Sequence, residues 1–175
     1  MSDSRSEEEW QDLLIIGIGN QERCDDGVGL VVARNLAAKN LPNLTVIEAR
    51  GDISALTDVW KGAKNVILID AVCSGQEPGT VHRLDARTER VPTGIFRRSC
   101  HSLGIGEAIE IARSMNQLPE RVTVYAIDGK DFDIGIGLSR EVVRAARRVV
   151  ESIEKEVRAF HPRRRRARAR AAAAA

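Results

Sequence analysis

Short apolar runs separated by amphipathic stretches occupy most of this chain. Leu13 to Ile18 and Asn65 to Asp70 are almost continuously apolar, the pattern of strands buried on both faces. Leu44 to Glu48 and Val122 to Ile127 read as two further strands. Thr80 to Leu84 alternates polar and apolar positions behind a Pro78-Gly79 turn, which predicts an antiparallel edge strand. Between these runs, helices are predicted over Gly27–Ala38, Ile53–Trp60, Leu103–Met115 and Ser139–Arg158. The last has apolar residues at 142, 143, 146, 149, 150, 153 and 157, close to helical spacing. Asp25 or Asp26 is placed to cap the first helix and Ser102 the third, while Asp85–Arg98 is polar and reads as a loop. Strands alternating with helices predict a doubly wound α/β domain. Residues 1–11 lack a core pattern and read as a disordered N-terminus. Residues 12–160 read as one domain, and residues 161–175 as a low-complexity Arg/Ala tail.

Composition narrows the class. The hydrophobic fraction is 43% but aromatics are only 3%, so the core is aliphatic and base-stacking surfaces for nucleic acid are not expected. Removing the six arginines at 163, 164, 165, 166, 168 and 170 from a formal net charge of +2 leaves a body at −4. The basic character is therefore terminal, and a solvated tail accounts for it. No apolar stretch approaches the ~20 residues that cross a bilayer, and the acidic N-terminus is unlike a signal peptide. No membrane partner is expected, and the expected compartment is the cytoplasm. Three widely spaced cysteines, Cys24, Cys73 and Cys100, do not form a disulfide framework.

The segment from Gly17 to Gly29 lies where a parallel strand hands over to a helix, the edge at which open α/β sheets bind ligands. A dinucleotide fingerprint requires a third glycine where Glu22 stands, and Asp25 and Asp26 would repel a pyrophosphate. Glu48, at the end of the second strand, is the one residue that could mimic a ribose-binding acid. There is no phosphate-binding G-x-x-x-x-G-K-[ST] loop and no G-x-S-x-G nucleophile elbow.

A different constellation is available. Asp26 follows the first strand, Asp70 ends the third, and His101 stands at the mouth of the Leu103 helix. If the first and third strands are adjacent, all three open on one sheet edge. Two carboxylates and an imidazole suit a metal with open coordination positions. The same two carboxylates could instead share a proton and activate water. The residues accommodate both chemistries. All three cysteines neighbour these positions, as soft auxiliary ligands or as small loop residues.

Four ordered blocks carry a family resemblance. They are Gly17-Ile18-Gly19-Asn20 with Asp25-Asp26-Gly27-Val28-Gly29; Ile69-Asp70-Ala71-Val72 with Ser74-Gly75 and Pro78-Gly79-Thr80-Val81; His101-Ser102-Leu103-Gly104; and Gly135-Ile136-Gly137-Leu138-Ser139 with Glu141-Val142. From about Leu13 to about Glu156 the chain resembles the [NiFe]-hydrogenase maturation proteases, endopeptidases that trim the C-terminal extension of the hydrogenase large subunit. The resemblance implies a three-layer fold with a mostly parallel, twisted five-stranded sheet. It implies that residues 12–160 are a protease domain, with Asp26, Asp70 and His101 as a metal-gripping and catalytic set. It further implies that the partner is the large-subunit precursor and that nickel arrives within that precursor. The protease is expected to be a monomer. The alternatives are a non-cleaving nickel or precursor chaperone and a nucleotide-binding protein. Many relatives carry Pro-Leu after the asparagine, where this chain has Gln21-Glu22. A Gly-Thr after the second strand is here Gly51-Asp52.

Overall fold

The computed structural model describes residues 13–50, 56–91 and 104–172, with side chains as far as Arg158. Strands β1 (Leu13–Ile18), β2 (Leu44–Ala49), β3 (Asn65–Val72), β4 (Val81–Asp85) and β5 (Arg121–Asp128) form one five-stranded sheet in the order β2-β1-β3-β5-β4. β2, β1, β3 and β5 are parallel, and β4 runs antiparallel to β5 at the edge. The helices are α1 (Val28–Ala38), α2 (Leu56–Val59), α3 (Ile105–Ser114) and α4 (Arg140–Ala172). A 3₁₀ turn, Cys24–Gly27, joins β1 to α1.

Because successive strand residues face opposite ways, the apolar runs supply two cores. On one face Leu14, Ile16, Leu68, Val72 and Val124 pack with Trp60 beyond α2 and with Ile105, Ile109 and Ala112 of α3. On the other, Ile15, Ile67, Ile69 and Ile127 pack against Val28 and Val32 of α1 and Val142, Val149 and Ile153 of α4. The β1 connection therefore crosses one face toward β2, and the chain leaving β3 reaches β5 across the other. The gap between β1 and β3 is the topological switch point, where a crevice opens at the strand ends.

The predicted fold class and edge strand match this sheet. Several boundaries differ. β3 runs on to Val72 because Asp70 is built into the strand rather than ending it, and β5 runs one residue past Ile127 to end at Asp128. Neither Asp25 nor Asp26 caps α1; Gly27 holds that position without a side-chain bond, because both carboxylates are committed elsewhere. Gly104 holds the N-cap position of α3. Ser102, the start of the predicted Ile53 helix, residues 92–98 of the predicted loop and residues 1–11 lie outside the described residues. α4 continues to Ala172, past Arg158 and into the segment read as a tail. Arginine and alanine are strong helix formers and carry the helix on, although Pro162 removes one ladder donor. Among the described residues no helix is long and apolar enough to cross a membrane.

Candidate active site

The two adjacent acids of the β1–α1 turn have separate tasks. Asp25 is fully buried and accepts three backbone N–H groups from far along the chain. Oδ2 receives those of Lys130 and Asp131 at 2.8 and 3.0 Å, and Oδ1 that of Ser139 at 2.7 Å. It therefore ties the segment after β5 to the turn. Asp26 is equally buried, and its Oδ2 accepts the Asn20 N–H at 3.0 Å.

Asp70 occupies the same face of β3 as Leu68 and Val72, where the alternation demands an apolar side chain. It is 1% exposed. Oδ1 accepts the Ala71 N–H at 2.8 Å, and Oδ2 meets no hydrogen-bonding group among the described residues. Burial pushes the Asp70 carboxyl well above the ordinary aspartate range, and the nearby charge of Asp26 pushes it further. Asp26 and Asp70 thus lie near one another at the switch point, and the charge of Asp26 opposes ionisation of Asp70. An orphaned buried carboxylate oxygen beside a second carboxylate fits a cation or a shared proton.

His101 and Cys100 lie outside the described residues. Among the described residues no group of three His, Cys, Asp or Glu side chains stands where it could hold a metal. Cys24 and Cys73 are free thiols. Partial burial, then the Asp131 carboxylate its thiol faces, raises the Cys24 pKa, which opposes a thiolate ligand there. Glu48 is not available for a ribose. Arg34 grips both its oxygens at 2.8 Å and Arg50 adds a third contact at 3.0 Å, pulling its pKa down to about 2.

A second polar cluster on the same edge escaped the sequence reading. Asp128, buried at the end of β5, accepts Ser74 N–H at 2.7 Å through Oδ1. Its Oδ2 accepts Ser74 Oγ at 2.8 Å and His82 Nε2 at 2.7 Å. His82 and Asp70 are both in register with Ala126, so they share a row and a face. This is not a serine nucleophile with its base: the Ser74 hydroxyl proton goes to Asp128, and Ser74 Oγ stands 3.5 Å from His82 Nε2. The cluster braces the β3–β4 connection. Its bonds span 46 and 54 residues, and no local spacing signals them.

The hydrogenase maturation protease family profile matches residues 30–156. A putative hydrogenase maturation protease of Methanocaldococcus jannaschii is 32% identical over 165 residues, covering 85% of this chain and 97% of the relative. The [NiFe] hydrogenase maturation protease HybD of Thermococcus kodakarensis superposes with a TM-score of 0.64 at 27% identity, covering 84% of this chain and 99% of that structure. The Escherichia coli hydrogenase maturating endopeptidase HybD shares the fold, with a TM-score of 0.69 at 18% identity over 85% of this chain and 93% of its own. With the profile spanning well over half of the chain and a relative 32% identical along most of both chains, this chain belongs to the [NiFe]-hydrogenase maturation protease family.

Proposed function

We propose that this protein is the endopeptidase that removes the C-terminal extension of a nickel-loaded [NiFe]-hydrogenase large-subunit precursor in the cytoplasm. Asp26, Asp70 and His101 grip the nickel that the precursor brings with it, so cleavage follows metal insertion. The observation that carries this reading is the orphaned Oδ2 of buried Asp70 beside Asp26. A lone buried carboxylate is costly, and a fold that keeps one at its ligand-binding edge has a use for it. His101 is three residues before Gly104, which leads into α3 on the face that carries Asp70. That order along the chain is what supports assigning His101 to the set.

Nickel is part of the substrate and, when gripped, supplies positive charge that draws both acids into their ionised form. The chain's own residues supply positioning and proton transfer. In the alternative aspartic-type chemistry, with no metal on the pair, Asp26 takes the proton of a water attacking the scissile carbonyl. Asp70, whose proton is held by burial and by the Asp26 charge, donates to the carbonyl oxygen. This second, aspartic-type chemistry is favoured by the raised Asp70 pKa and operates with the same residues.

The test is mass spectrometry of a purified nickel-loaded precursor incubated with the chain. Wild type should release the extension, and Asp70→Asn and His101→Ala should each lose about 100-fold or more in rate. Full activity in both variants would refute the assigned roles. Precursor binding with no mass change would instead identify a chaperone. A precursor without nickel should remain uncut if metal gripping precedes hydrolysis.

A further inference from the structure

The segment between β5 and α4 displays two large apolar side chains to solvent. Ile134 is 89% exposed and Ile136 is 93% exposed. Between them Gly135 is locked to the 3₁₀ turn. Its carbonyl accepts the Cys24 N–H at 3.0 Å, and its N–H donates to the Glu22 carbonyl at 2.9 Å. A Cβ on Gly135 would lie 2.7 Å from Cys24 Sγ, so the inward side is already filled. In this short parallel bridge between Arg23 and Gly135, the flanking isoleucines face the other way. Neither can be buried by rotating the segment without breaking both backbone bonds of Gly135. Their exposure is built into the fold.

We propose that Ile134 and Ile136 form a docking surface, distinct from the cleavage centre, for an apolar patch with a basic rim on the hydrogenase large-subunit precursor. This rests on the endopeptidase reading above. Two observations select that occupant. The segment is hydrogen-bonded to the turn that carries Asp26, so the isoleucines adjoin the proposed cleavage centre and a partner of that centre is the occupant at hand. The exposed charged residues of this segment and of the turn bonded to it are Glu22, Asp131 and Asp133 against Arg140, and Lys130 is paired with Glu141 at 3.6 Å, which leaves an acidic excess. An acidic rim around an apolar centre complements a basic rim around an apolar centre.

The experiment compares wild type with the Ile134→Ser/Ile136→Ser double variant on a purified nickel-loaded precursor. Cleavage kinetics are measured directly, and binding is measured in an Asp70→Asn background that leaves the precursor intact. KM and Kd should rise about tenfold or more while kcat stays within about twofold, and Ile134→Val/Ile136→Val should stay near wild type. Unchanged KM and Kd overturn the docking surface. If the wild-type chain binds the precursor without cutting it and the serine pair abolishes binding, the surface stands and the endopeptidase reading fails. A wild-type chain that does not bind the precursor overturns both.

Discussion

Asp25 and Asp26 are neighbours in sequence with different chemistry. Asp25 spends both oxygens on three backbone N–H groups, whereas Asp26 contributes charge to the environment of Asp70. Asp70 in turn violates the apolar alternation of its strand, and its stability cost can be measured. Its folded pKa lies above the unfolded value of about 3.9, so the native state holds a proton that the unfolded state releases. As pH rises from about 4 through the folded pKa, that difference removes stability. Asp70→Asn cannot ionise and escapes the loss. Thermal melts of the metal-free protein should show the Tm of the variant gaining on that of wild type as pH rises from about 4 toward neutrality. A gap that stays constant with pH would contradict the raised Asp70 pKa. Function and stability therefore oppose each other at this residue.

At the scale of elements, the site depends on α1 lying unusually close to the sheet. A Cβ on Gly29 would be driven into the carbonyl oxygens of Ile18 and Ile69, and one on Gly17 into the Gly29 carbonyl. The paired glycines bring the start of α1 onto β1 and β3 and set Asp26 against Asp70. Backbone carbonyls cannot swing aside as side chains can. Gly29→Ala should cost about 3 kcal/mol in urea unfolding, and any folded remainder should have lost the close approach of the two acids. A midpoint within 0.5 M of wild type, on the order of a 1 kcal/mol change, would show that the helix can shift freely. The glycine pattern was legible in the sequence, but its purpose was not. Glu22, Asp25 and Asp26 already argue in the sequence against a phosphate cradle at Gly17 and Gly19, but only the packing shows which atoms approach which.

For the whole molecule, α4 has two parts. Its buried positions run from Val142 through Ala145, Ala146, Val149, Val150 and Ile153 to Val157, and clamp one face of the sheet. The arginine-rich continuation to Ala172 extends that helix beyond the last buried position described. Deleting residues 162–175 should leave Tm within about 2 °C and leave precursor cleavage unchanged, because Val157, the last buried position described in α4, lies before the deletion. A large loss in either would give the extension a structural or docking task.

The amino-acid sequence by itself determined the five strands, the order of helices between them, the antiparallel edge and the motif blocks that carry the family. Each of these is written in the local period of apolar residues or in contiguous motifs, and local sterics and burial enforce them. The tertiary structure alone decided which polar groups meet. Ser139 reaches Asp25 across 114 residues, Ser74 reaches Asp128 across 54, and the two isoleucines are held outward by bonds to a turn more than a hundred residues earlier. Periodicity assigns a residue to a face. The strand order and the close approach of backbones decide what lies beside it, and with that whether a buried acid is a brace, as Asp25 is, or keeps one oxygen without a partner among the described residues, as Asp70 does.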